Sequence, residues 1–339
     1  MKFKSYFIVV ASFFALVFSS CKKEEKTMGY MDGPMNLKCE IPSFVTPGDR
    51  YEIMADGVTA PDGTAVAYYF SSTATGSKKD TVMSSSPTYV FEVPDTLGSF
   101  SFTVSAFPVE SSDKYYVTTA SIYFDIVKDD PENGSLTDIP AHEDDMIYTL
   151  HGRNYNVCSI GGNEWIRANL SYIERDAAGK EVFGRSYAGS PAMQNLFGAF
   201  YTWEEAQKAC PEGWRLPSES DWVNLLKASG APDSLKPFQD SPSGAGSLMV
   251  KARFNGELLW LYYRGVNITD KSISVLPVGY AVQDNVGWTY IGSQAYAAIW
   301  TSDEYEGKGV YRYIYKENDN VYVGTADKST FAASVRCIR

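Results

Sequence analysis

The apolar positions divide the chain into stretches of different period. Phe7 to Phe18 is a nearly unbroken apolar run behind Lys2 and Lys4. A dozen residues falls short of a bilayer core, which needs about 20; the run fits a secretory signal. From 36 to 128 the period is two. Tyr51, Ile53 and Ala55 alternate with polar neighbours, as do the apolar positions from Gly98 to Ala106. Val66 to Phe70, Tyr89 to Val93 and Ser121 to Val127 are further short runs. Pro47-Gly48-Asp49 and Pro61-Asp62-Gly63 separate them as turns, Pro presetting φ and Gly taking positive φ. About seven strands in about 95 residues predict an antiparallel β-sandwich. Residues 129–145 carry seven acids and no base, which predicts a solvated acidic linker.

Beyond 146 both periods occur, so helices and strands are both expected over 146–339. Tyr155 to Ile160, Leu276 to Tyr280, Ile299 to Ser302 and Ala333 to Cys337 read as strands. Trp203, Ala206, Ala209 and Cys210 share a helical face, and Thr202 with Glu205 forms a capping box before them. Pro211 and Gly213 stop that helix. Ser218 with Asp221 opens a second helix, with Trp222, Leu225 and Leu226 facing inward and Gly230 at its end.

The apolar N-terminal run closes on Ser19-Ser20-Cys21. Small residues directly before a cysteine resemble a bacterial lipoprotein signal. The resemblance implies cleavage after residue 20, lipidation of Cys21 and an outer-membrane anchor over a tether of 21–35. Burial of acyl CH₂ groups, about 0.8 kcal/mol each, would hold it. Lys23-Glu24-Glu25 resembles the surface-export signal of Bacteroidetes lipoproteins; a plain solvated tether is the alternative.

Composition narrows the chemistry. The chain has 30 basic and 41 acidic residues, net −11. Removing residues 1–20 takes two lysines and no acids, which deepens this to −13. Such a charge opposes phosphate, so nucleic acid is not an expected partner. His142 and His151 are the only histidines, which leaves little for imidazole catalysis or histidine-metal sites. The acidic linker lacks the spaced ligands and glycine of a calcium loop. No metal and no cofactor is expected. Cys39, Cys158, Cys210 and Cys337 form no CxxC pair, which disfavours zinc ribbons and thioredoxin-type sites, and they allow three connectivities. Cys158 lies in a strand-like run and reads as a small buried hydrophobe.

Two resemblances follow from these motifs. The order of Pro-Gly-Asp turn and alternating strands in 36–128 resembles PKD-type and other Ig-like domains of surface proteins, which commonly serve as spacers. In the second half, Ile160-Gly161 leads to Trp165 and Asn169-Leu170. Then come Tyr201-Thr202-Trp203, Ala209-Cys210-Pro211, Gly213-Trp214, Leu216-Pro217-Ser218 and Trp222. Leu276-Pro277-Val278-Gly279-Tyr280, Trp300-Thr301-Ser302 and Ser334-Val335-Arg336-Cys337 complete the order. This order is similar to the Fibrobacter succinogenes major paralogous domain, a family related to the C-type lectin-like fold, and the resemblance implies an α+β domain over 146–339. The resemblance implies a helix-borne cysteine paired with one near the C-terminus, hence Cys210 with Cys337. Closing a loop of about 127 residues adds about 4–5 kcal/mol in the chain-entropy model. Ala281 stands where the family often has Arg, and Ile299-Trp300 where it often has an aromatic pair. Arg215 to Trp222 also resembles the formylglycine-generating, sulfatase-modifying group. That chemistry needs two late cysteines, and Cys337 stands alone there, so no catalytic residue is assigned.

In lectin-like folds the segment before the last strands carries recognition, here residues 255–298. Trp260, Tyr262 and Trp300 read as core. Tyr263, Asn267, Asp270, Gln283, Asp284, Asn285, Trp288, Tyr290 and Tyr296 are the candidate ligand contacts. Flat rings bury area while amides and carboxylates satisfy hydroxyls, so a glycan or a surface protein is the expected partner. The Glu-Pro-Asn and Trp-Asn-Asp motifs of calcium-dependent lectins are absent. A fimbria-associated structural or adhesin subunit is the alternative. Thr81, Thr96 and Ser234 sit in triplets that resemble Bacteroidetes O-glycosylation acceptors. The anchor is tested by Cys21→Ala: this variant is expected to leave the membrane fraction for the soluble one, and continued membrane partitioning would refute lipidation.

Overall fold

A computed structural model describes residues 27–74, 80–260 and 265–339. Cys21 and Lys23 to Glu25 lie outside the described residues. Strands dominate and helices are few.

Two sheets form most of the first half, and a small third one pairs Gly29–Tyr30 with Tyr115–Tyr116. Of the two main sheets, one has five strands in the order Phe44–Val45, Thr118–Ile126, Gly98–Pro108, Val66–Ala74, Asp80–Ser84. The other has three, in the order Asn36–Lys38, Arg50–Asp56, Thr88–Glu92. The predicted alternation holds in Gly98–Pro108: Phe100, Phe102 and Val104 point inward, the intervening residues outward. They meet Ile53 and Phe91 of the smaller sheet and Phe70 and Phe124 of their own. Ring centroids of Phe91 and Phe102 lie 5.0 Å apart, and those of Phe100 and Phe124 5.3 Å apart, so aromatic packing fills the space between the sheets. Strand Asp80–Ser84 was not anticipated. It carries Thr81, whose hydroxyl is 3.2 Å from that of Ser71. Thr96 and Ser234 are exposed.

The acidic segment departs from the expected solvated linker. Leu136–Thr137 pairs antiparallel with Arg253–Phe254, and the Asn255 amide donates to the Ser135 carbonyl at 2.8 Å. Asp145 accepts from Arg167 Nε at 2.5 Å, with their side chains 5% and 11% exposed. Asp138 pairs with Arg253 at 3.0 Å. Composition alone could not show that cations from later in the chain meet these carboxylates; for Asp145 the pairing offsets its loss of water, whereas the Asp138 pair stays exposed.

The second half centres on an eight-stranded sheet. Its main path runs Arg185–Ser186, Ala199–Thr202, Phe331–Ser334, Tyr296–Tyr305, Lys308–Tyr315, Val321–Ala326, and the hairpin of Tyr280–Gln283 with Trp288–Ile291 joins at Phe331–Ser334. Both predicted capping boxes are present. Thr202 caps Trp203–Ala209 and Ser218 caps Glu219–Ala228. The Arg215 guanidinium, with Ser218, holds the Asp221 carboxyl far below its usual range against the opposing effect of burial. The first helix covers one sheet face, where Trp203 lies on Gly309. The second covers the other, with Trp222 edge-on to Trp165 at 5.3 Å. Trp222, Trp260 and Trp300 are buried as expected, as is Cys158. Cys210 and Cys337 form the disulfide implied by the family resemblance, tying the end of the first helix to the chain terminus.

The helix Glu219–Ala228 is anchored by an ion pair that is 1% exposed on both sides. Arg312 Nε donates to Glu219 Oε1 at 2.8 Å and its Nη2 donates to Oε2; Nη1 donates to the Gln239 carbonyl at 2.8 Å. The Phe238 amide donates to Glu219 Oε2 at 2.7 Å. Removing one partner strands a buried charge. Glu219→Ala is expected to lower stability by about 3–5 kcal/mol, read as a shift in the urea midpoint. A loss of about 1 kcal/mol or less, the range of exposed pairs, would contradict this.

Candidate ligand-binding site

The hairpin Tyr280–Gln283 and Trp288–Ile291 turns over residues 284–287. Asp284 Oδ1 accepts from the amides of Val286 (2.8 Å) and Gly287 (3.0 Å). These bonds hold its carboxyl below the usual carboxylate range, so this side chain is occupied in shaping the turn. The register pairs Gln283 with Trp288 and Ala281 with Tyr290. Alternation therefore puts Gln283, Trp288 and Tyr290 on one sheet face and Tyr280 and Val282 on the other.

A fixed cation supports the first face. The Arg185 guanidinium lies 4.2 Å from the Trp288 ring centroid. Arg185 Nη2 also donates to both Glu205 oxygens, at 2.9 and 2.8 Å. Glu205 is the capping-box glutamate, and its Oε2 accepts from the Thr202 amide at 2.7 Å. The capping chemistry of a helix thus orients the cation that backs an indole. The Tyr290 hydroxyl donates to the Ser186 carbonyl at 2.7 Å, and burial pushes its phenol well up. Tyr187 packs 5.1 Å from Tyr290 and 5.7 Å, edge-on, from Phe44 of the first sheet pair.

These residues wall a cleft of about 900 Å³ between the two halves of the chain. Ser43, Phe44, Tyr187, Gln283, Trp288 and Tyr290 are among its lining. Aromatic walls with a few polar groups at the meeting of two halves of the chain are features of ligand clefts. Two of its charges are engaged within the protein, Arg185 on Glu205, and Glu181 on Arg175 (3.0 Å) and on the Ser186 hydroxyl (2.7 Å), while Lys180 stands exposed in the lining.

The other sequence candidates do not converge there. Asp284 and Asn285 stand exposed at the hairpin tip, and Asn267 is exposed elsewhere. Asp270 is 2% exposed, and its Oδ2 accepts from the Lys251 amide at 3.1 Å. It faces inward instead of toward a ligand, at a left-handed backbone position of φ 48°. Tyr263 lies outside the described residues. Tyr296 belongs to the opposite sheet face. Among the described residues no group of three His, Cys, Asp or Glu is placed to hold a metal.

That opposite face carries a feature the sequence reading missed. Rings of Tyr280, Tyr296, Tyr313 and Tyr322 run across the strands with centroid spacings of 5.3, 5.0 and 4.9 Å. Tyr311 lies 5.0 Å from Phe331. Its ring rests on Gly324, where a Cβ would come within 2.4 Å of it. Burial, reinforced by Tyr311, pushes the Tyr296 phenol well up. The signal was present in Tyr311-Arg312-Tyr313-Ile314-Tyr315, whose period of two sends tyrosines to one face and Arg312 and Ile314 into the core.

A family described as the Fibrobacter succinogenes major domain matches residues 158–339. No curated relative matches the chain.

The tyrosines generate a pH prediction. Burial raises the phenols of Tyr201, Tyr290 and Tyr296 in the folded state. Their stabilisation is complete below the unfolded value of about 10 and declines above it as unfolded phenols ionise first. Phenolate absorbance is expected to rise in two phases, the second coinciding with alkaline unfolding. A single phase near pH 10 with intact circular dichroism would refute the burial argument.

Proposed function

The chain belongs to the Fibrobacter succinogenes major domain family through residues 158–339, and from that footing we propose that it is a surface lipoprotein with a non-catalytic, lectin-like head. In this reading the first two sheets are an Ig- or PKD-like domain that carries the head, and Cys21 anchors the chain in the outer membrane. The head binds a glycan.

One observation carries the reading: Gln283, Trp288 and Tyr290 meet Phe44 and Tyr187 around one cleft of about 900 Å³. Rings with an adjacent amide and hydroxyl suit a sugar, whose C–H face packs on a ring while its hydroxyls take hydrogen bonds. Arg185 and Glu181 are bonded within the protein, and the chain is acidic overall. Both facts favour a neutral glycan over an anionic one, with exposed Lys180 the one lining cation that weighs the other way. The pairing of Cys337 with Cys210 supports a non-catalytic head, since a formylglycine-generating chemistry requires free late cysteines.

The tyrosine-lined sheet face favours one second reading, a fimbria-associated structural or adhesin subunit, because partly exposed aromatic faces mark protein contacts. A glycan array with the purified protein and its Trp288→Ala variant separates the two. The glycan reading expects neutral-sugar hits that the variant loses by about tenfold or more, about 1.4 kcal/mol. No sugar hit, together with co-purified pilus subunits, would overturn it in favour of the second.

A further inference from the structure

Phe44 comes from the first half of the chain, yet its surroundings are those of the head. Its amide donates to Ser190 Oγ at 3.1 Å, and its ring meets Tyr187 edge-on at 5.7 Å. It also lines two cavities at once. One is the Trp288 cleft of about 900 Å³. The second, of about 430 Å³, lies between Gly98 and Asp125 on one side and Phe197, Phe254, Asn255 and Gln294 on the other. Both cavities follow the junction of the two halves, and Phe44 is the residue common to them.

The second cavity shares part of the chemistry of the first, with rings of Phe197 and Phe254 beside the amides of Asn255 and Gln294, and adds the carboxylates of Asp125 and Glu257. Asn255 Oδ1 is buried without a hydrogen-bond partner among the described residues. The wall bearing Phe44 is not free to swing away. Asn255 Nδ2 donates to the Ile126 carbonyl at 3.2 Å, and Val127 is fully buried in the head's core.

We propose that Phe44 is a specificity-determining residue, a partition that closes one end of the Trp288 cleft so that the head takes the terminal units of a neutral glycan chain. The first domain is then part of the site and not a passive spacer. This inference rests on the glycan reading given above.

The test uses the full-length protein and neutral oligosaccharide ladders of the malto-, cello-, xylo- and manno-series, two to eight units long, followed by calorimetry. For the unaltered protein, affinity is expected to level off within the first few units. In Phe44→Ala the cavities merge, and affinity for the longer members is expected to rise by about tenfold relative to the shortest. Phe44→Leu keeps a partition and is expected to retain the original length profile. Thermal melting establishes that each variant is folded; should Phe44→Ala fail to fold, Phe44→Val, with a smaller partition, is expected to show the same shift at reduced size. Binding that Trp288→Ala abolishes, with a length profile that neither Phe44→Ala nor Phe44→Val changes, would overturn the role of Phe44 alone. Failure of every ladder to bind the unaltered protein would overturn the glycan reading and this inference with it.

Discussion

Arg336 is completely buried, and every partner of its guanidinium is neutral. Nε donates to Asn169 Oδ1 at 2.9 Å, Nη1 to the carbonyls of Ile166 (3.1 Å) and Ile273 (2.7 Å), and Nη2 to that of Ser274 (3.1 Å). Burial pulls its pKa down to about 9. Asp270 lies near enough to act against that shift, but no carboxylate is hydrogen-bonded to the guanidinium, so a full set of well-placed neutral acceptors must offset the cost of burial. This guanidinium therefore constrains three segments to meet: the strand ending at Ile166, the Asn169 turn and the 273–274 loop. Asn169 extends the network by donating to the Phe197 carbonyl at 2.9 Å. The adjacent Cys337 adds a covalent tie to the first helix. The head is thus organised around polar groups placed inside its core, and the large aromatic side chains fill the space around them.

The same economy of charge explains the junction of the two halves. Asp145 and Asp138 are met by Arg167 and Arg253, so the acidic segment lies along the head instead of leaving it. With Leu136–Thr137 added to a short sheet beside Arg253–Phe254, the first domain is held where Ser43 and Phe44 face the hairpin of Trp288. The cleft owes its shape to this docking. Arg185 contributes in the same way: its charge is neutralised by Glu205, so it backs the Trp288 ring without making the wall cationic.

Local chemistry was the legible part. The two capping boxes, the turn prolines and glycines, the alternation of Phe100, Phe102 and Val104, and the inward face of Trp222, Leu225 and Leu226 depend on neighbours within a few residues. They could be read from the chain and are present as read. The Cys210–Cys337 pairing was accessible because the family motif carries it. The candidate contacts were less legible. A segment chosen by position, 255–298, mixes both faces of a sheet, and alternation places Tyr296 opposite Trp288 and Tyr290. Arg185, Tyr187 and Phe44 could not be found by any local pattern, since each lies far along the chain from that hairpin.

The amino-acid sequence by itself determined most of the element types, their caps and the family motifs, because those properties arise from residues near in the chain. Tertiary structure decided which residues share a surface. It buried Asp270, left Asp284 to its own turn, gathered distant tyrosines into one row, and brought Phe44 against Tyr187. The physical reason is that strand order and domain docking are set by long-range pairing of buried charges and rings, and no period along the chain records which partner will be met.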